Sequence, residues 1–171
     1  MINKEKLMEN WDELKDETKT KILALADKEV KDDYFVPKEG EVYYYYEFDR
    51  ITIVSKQLCY CNSPIDEFNI NTGNCFKAPK EAIFAGDCDY YTKRFETYVN
   101  RHSEKLDWDR ECQTKWYVVY SHPNKCFVCN YGKFSAQSQG TIYASSQQIL
   151  KDAIADIGEE NFLKYVMNVE K

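Results

Sequence analysis

Long apolar runs are missing from this 171-residue chain. None approaches the about 20 residues that a membrane-spanning helix requires. The opening stretch, MINKEKLMENWDELKDE, is charged throughout and lacks the apolar centre of a secretory signal. The chain is therefore expected to stay in the cytoplasm and to have no membrane partner. An excess of positive charge is also missing. The net charge of −6 provides no basic footprint for neutralising phosphates, which argues against a general nucleic-acid binder. Histidine is scarce: His102 lies among charges at a helix end, and His122 precedes Pro123 in a turn. Neither has neighbours that suggest a triad. There is no phosphate-cradling glycine loop, no GxSxG elbow, no HExxH pair and no deaminase zinc signature. No catalytic residue is nominated, and the expected role is non-enzymatic and without a cofactor.

What is present is a globular composition, with 43% hydrophobic and 30% charged residues. The 14 Tyr, 9 Phe and 3 Trp suit half-buried sheet faces and binding surfaces alike. Seven cysteines, an odd number without a secretion signal, read as reduced thiols and not as a disulfide framework.

Periodicity divides the chain. Leu7, Trp11, Leu14, Ile22 and Leu25 form one apolar stripe, which predicts an amphipathic helical arm over 1–35 with a break near Asp16 to Thr18. A turn at Pro37 to Gly40 opens an α+β domain over 36–171. Val42 to Val54 reads as a hairpin turning near Asp49 and Arg50, and residues 55–72 as a polar loop or irregular strand. A short strand at Asn74 to Phe76 leads into a helix from Pro79 to about Asn100. Gly86 is expected to weaken that helix. Trp116 to Tyr131 reads as a second hairpin turning at His122 to Asn124. The strand Gly140 to Ser145 enters a helix capped by Ser145 with Gln148 and closed by Gly158, and a short helix follows.

The unit of hairpin, short strand and helix thus occurs twice, over 41–100 and 115–171. Gly73 to Ala78 aligns with Gly140 to Ser145, and Ala82-Ile83 with Ile149-Leu150. The expected fold is α+β: a helical arm, then two loosely repeated units forming antiparallel sheet with helices packed on it. Such units can pair edge to edge to cover exposed strands.

Tyr43 to Tyr46 are consecutive, so both faces of their strand carry tyrosine. One face covers the core, and the other is either an interaction patch, a platform for stacking a nucleotide, or packed beneath the N-terminal helices. Tyr43, Tyr45, Trp11 and Trp116 are the binding candidates. Cys126 and Cys129 have metal-ligand spacing, and Cys59 with Cys61 would complete four thiolates for zinc. A strand places Cys126 and Cys129 on opposite faces, so no metal is expected, and these four are the only candidates.

The stretches NTGNCFKAPKEAIFA and QGTIYASSQQILKDAIADIGEENFLKYVMNVE resemble a group of small proteins encoded by phages and prophages of low-GC bacteria. Those proteins share a GNCFxTxEEA-like strand-to-helix motif, a YYxxY hairpin and an IGEExLxxY segment. The resemblance covers residues 36–171, with Ala78-Pro79 standing where the motif usually has a threonine cap. These motifs are structural. The resemblance implies a protein that binds a host protein or complex and inhibits or modulates a host defence. A virion or assembly component, and a sponge for a nucleotide signal, are the alternatives.

Overall fold

The computed structural model describes residues 35–49, 52–110 and 112–169. The chain divides into two compact units, Met1–Val36 and Pro37–Lys171, and every element below belongs to the second. The expected N-terminal arm with Trp11, and Arg50 at the first hairpin turn, lie outside the described residues.

The fold is α+β. Strands β1 (Val42–Asp49) and β2 (Thr52–Cys59) form an antiparallel hairpin, in register from Val42 opposite Cys59 to Asp49 opposite Thr52. Helix α1 (Pro64–Asn71) follows, then the 24-residue helix α2 (Pro79–His102). Strands β3 (Lys115–Ser121) and β4 (Cys126–Gly132) make the second hairpin, and α3 (Gln147–Ile157) packs after it. A helical turn over Glu159–Asn161 runs into a π-helical turn over Phe162–Val166, where the Met167 amide reaches back to the Phe162 carbonyl at 2.9 Å. None of the described helices is long and apolar enough to cross a membrane.

Several elements depart from expectation. Strand β2 continues through Cys59, and α1 occupies a segment read as loop or irregular strand. The signal for α1 is local: Ser63 caps it, Pro64 takes its first position, and Asp66 returns a bond to the Ser63 amide, completing a capping box with Asp in place of Glu. At α3 the cap is Ser146, whose Oγ accepts from the Ile149 amide at 3.4 Å. Ser145 Oγ accepts instead from the Glu104 amide, and Gln148 donates to Asp152. Ser145 is drawn away because the chain leaving α2 passes beside it.

Each hairpin gains one more rung. Tyr44 exchanges backbone hydrogen bonds with Phe76 at 2.9 and 2.8 Å, and Trp116 does the same with Ala144. These bridges make Phe76 equivalent to Ala144, one residue out of step with the motif alignment. Cys75 then matches Tyr143, Ala78 matches Ser146, and Ala82 matches Leu150. Cys75 with Tyr143 and Ala82 with Leu150 are buried pairs, Ala144 is buried opposite a half-buried Phe76, and the caps Ala78 and Ser146 are half-buried. The hairpins are two separate sheets among the described residues and not the edge-to-edge pair expected. The free edge of each first strand is already occupied by its own short segment.

Helix α2 links the two halves by burying different faces along its length. Ala82 and Gly86 are buried near its start, Phe95 and Val99 near its end. Phe95 follows Gly86 by about two and a half turns at 3.6 residues per turn, so the second pair points away from the first. A Cβ on Gly86 would stand 2.5 Å from Ile53 Cγ2 and 3.0 Å from the Tyr46 ring. Gly86 therefore lets the first hairpin rest directly on α2, a packing role that the sequence reading as a weak point did not contain. On the other face, Phe95 and Val99 join Ala144, Leu150, Ala153, Ile154, Ile157 and Phe162 in the main apolar core.

Candidate functional site

The tyrosine run is covered on both faces. Tyr43 and Tyr46 point to opposite sides of β1, as strand alternation requires. Tyr43 is fully buried against α1, donating to Asp66 Oδ1 at 2.8 Å and accepting from Asn69 Nδ2 at 3.1 Å. Tyr46 faces α2 at Gly86. Tyr45 is half-buried beside Tyr43, with ring centroids 6.4 Å apart. Of the binding candidates, Tyr43 is thus an interior residue. Trp116 is half-buried, packed against the main core and 4.8 Å from the Tyr131 ring. The four cysteines are distributed: Cys59, Cys61 and Cys126 are exposed and Cys129 is half-buried. Among the described residues no three His, Cys, Asp or Glu side chains gather as a metal site.

The most perturbed acid is Asp66, which is buried at the start of α1. Its Oδ2 accepts from Ser63 Oγ at 2.7 Å, the Ser63 amide at 2.9 Å and the Cys61 amide at 3.1 Å, while Oδ1 takes the Tyr43 hydroxyl. Burial is the largest single effect and opposes the charge. The donors from Ser63, Tyr43 and Cys61 together outweigh it and hold the carboxyl well below the usual carboxylate range. Tyr43 is pushed up to about 12, chiefly by burial, with Asn69 pulling down and Asp66 pushing up. Burial and the Asp66 charge push the Cys75 thiol up to about 11. These groups are consumed by one another: the carboxylate has its acceptor positions filled, and a thiol so raised is a poor nucleophile. The cluster fastens α1 to β1.

The open chemistry lies along α2. Tyr90, Lys93, Arg94, Thr97, Tyr98, Arg101 and His102 recur at spacings of three and four, which puts them on one helical flank. With Phe48 from the end of β1 and Asp156 from α3 they line a groove of about 550 Å³. Phe48 is 48% exposed and stands 6.5 Å from the Tyr90 ring. Arg94 is forked onto Asp156, Nε to Oδ2 at 2.9 Å and Nη2 to Oδ1 at 3.3 Å, and is braced by the Tyr90 hydroxyl. Lys93 pairs with Asp89 at 2.7 Å. The His102 ring stacks on Tyr98 with centroids 4.1 Å apart, its Nδ1 2.8 Å from the Tyr98 carbonyl. Arg101, exposed in the last turn, has no partner among the described residues.

In a chain of net charge −6, this groove reverses the sign locally. Flat rings beside forked guanidinium groups suit a ligand that carries carboxylates or phosphates together with some apolar or aromatic surface. Sequence reading missed it, although cations and rings at helical spacing were visible; what could not be seen was that nothing covers that flank among the described residues. Comparison with known proteins finds no match to a family model, to a curated protein or to a solved structure.

Proposed function

We propose that the protein acts by binding and not by catalysis, and that its α2 groove receives an acidic segment of a partner protein. The observation that carries this reading is the groove itself, where Arg101, unpartnered among the described residues, stands with Arg94 and Lys93, held by Asp156 and Asp89, beside Tyr90, Tyr98 and Phe48 on an otherwise acidic molecule. Aromatic and arginine side chains supply most of the energy at protein interfaces, and opposite charge steers the approach. The resemblance to phage-encoded proteins extends the reading by association. The partner is then a component of a host defence complex, the protein its inhibitor or modulator, and the site of action the host cytoplasm.

The test is capture from host lysate with the tagged full chain and with Arg101→Glu. Arg101 is exposed and unpartnered among the described residues, so its reversal breaks no contact. It should lower stability only by about 1 kcal/mol or less, the worth of a charge in the last turn of a helix. The expected result is a host protein retained by the wild type, released by added salt and lost in the variant. Equal capture by both forms overturns the groove as the interface. A melting shift with nucleotides that Arg101→Glu abolishes would favour the signal-sponge alternative, because a ligand bound to the native state stabilises it. Recovery of the chain from purified particles would favour a virion role.

A further inference from the structure

The α2 groove contains a carboxylate of its own. Asp156, near the end of α3, occupies the guanidinium fork of Arg94, which donates from Nε to Oδ2 at 2.9 Å and from Nη2 to Oδ1 at 3.3 Å. Among the described residues it is the one carboxylate that lines the groove. Helix α3 itself does not favour an acid there. Asp156 stands in the last turn, where the helix dipole disfavours negative charge, and the exposed Asp152 lies one turn before it. The pair with Arg94 offsets this, yet it is open to solvent, with 44% of the arginine side chain and 34% of the aspartate exposed. An ion pair so exposed is weak and yields to a competing carboxylate. Arg94 does not depend on that carboxylate for its position. Its Nη1 also donates to the Tyr90 hydroxyl at 3.2 Å, and its Nη2 to the Asp156 main-chain carbonyl at 3.4 Å. Both contacts survive when the Asp156 side chain turns aside, so the emptied fork stays at the groove that Arg94 lines.

We propose that Asp156 is a built-in competitor for this groove, and that a carboxylate of the partner binds by displacing it from the Arg94 fork. The inference rests on the groove receiving an acidic segment. The face of the fork that holds Asp156 accepts one carboxylate in the two-bond geometry, so Asp156 and the partner cannot both use it. In the closed form Arg101 is the groove arginine without a partner among the described residues, since Arg94 is held by Asp156 and Lys93 by Asp89. In the open form Arg94 becomes a second free arginine, two turns earlier on the same flank. A ligand with a single carboxylate is served by Arg101 and has no cause to open the pair. A segment with several acidic side chains gains both arginines, so the competitor favours the more acidic partner.

The probe is a dye-labelled synthetic peptide of alternating glutamate and tyrosine, titrated with the full chain at low salt and followed by fluorescence anisotropy. The wild type is expected to bind it, and Asp156→Asn to bind it about two- to five-fold more tightly, the range that an exposed ion pair sets. Asp152→Asn removes the same charge one turn earlier without freeing Arg94, and should change the affinity less. In an Arg94→Gln background the gain from Asp156→Asn should vanish, because the two side chains act as a pair. Weaker binding by Asp156→Asn, an equal gain from Asp152→Asn, or a gain that survives Arg94→Gln would each overturn the competitor. If wild type and Asp156→Asn bind equally while Arg101→Glu loses the peptide, the groove stands as the interface and this inference alone fails. No binding by any form overturns both.

Discussion

The first hairpin and the second share a backbone arrangement and bury different chemistry behind it. In each, the first strand bridges to a short segment that then enters a helix. In each, the residue just before the bridge is fully buried: Tyr43 in one, Lys115 in the other. Tyr43 is received by a charged, fully bonded set on α1. Lys115 reaches the Arg110 and Gln113 carbonyls at 3.5 and 3.4 Å and the Trp108 ring, with Tyr117, Phe134 and Tyr143 gathered nearby. The helix positions differ as well. Leu150 fills the main core, whereas its counterpart Ala82 is a small buried residue about one turn before Gly86, where the first hairpin lies close against α2. Backbone geometry recurs while the packing is solved separately in each half, since side-chain volume has only to fit its own surroundings.

Substitutions can break this comparison. The largest effect is expected from Leu150→Ala, which opens a cavity in the main core and should cost about 2–5 kcal/mol in denaturant unfolding. Ala82→Gly, which removes one methyl and about 1 kcal/mol of helix propensity in the first half, should cost less, and a loss as large as that of Leu150→Ala would show that Ala82 is packed more tightly than its size suggests. Next is Gly86→Ala. It gains up to about 1 kcal/mol of helix propensity but forces the hairpin off its contacts with Ile53 and Tyr46, at about 1–3 kcal/mol, so a net loss is expected. A gain in stability would mean that the hairpin yields freely.

Acid sharpens the contrast. The Asp66 carboxyl titrates lower in the native chain than in the unfolded one, so its stabilisation is fully present above the unfolded value near about pH 4 and is lost as pH falls below it. Melting curves of wild type and Asp66→Asn should therefore converge as the solution is acidified. Parallel curves would remove the carboxylate from its stabilising role. The smallest effect concerns the helix entries. Ala78 has the extended backbone of a cap but no side-chain bond, whereas its counterpart Ser146 has one. Ala78→Ser should raise stability by about 1 kcal/mol and Ser146→Ala should lower it by a similar amount. A null result at Ala78 would show that the backbone there is not shaped for a cap.

Much of the fold was legible because it follows from near neighbours. Stretches rich in β-branched and aromatic residues marked both hairpins, Pro79 marked the start of α2, and Gly158 (φ 84°) marked the end of α3. Helix α1 was missed although Ser63, Pro64 and Asp66 announce it, because the polar residues around them match a loop equally well. The apolar stripe of α2 was obscured since it changes face between Gly86 and Phe95. The tyrosine run showed that both faces of β1 are aromatic, but coverage by α1 on one side and α2 on the other depends on elements distant in sequence.

The candidate groove divides in the same way. Sequence alone determines that Tyr90, Arg94, Thr97, Tyr98 and Arg101 share one flank of a helix, because helical spacing is a property of the backbone within a few residues. Only the tertiary structure decided that Phe48 and Asp156 border this flank and that Arg94 is fixed by a residue from α3. Which side of an element is buried, and which is left to meet a partner, is set by how distant segments pack, and no local pattern carries that information.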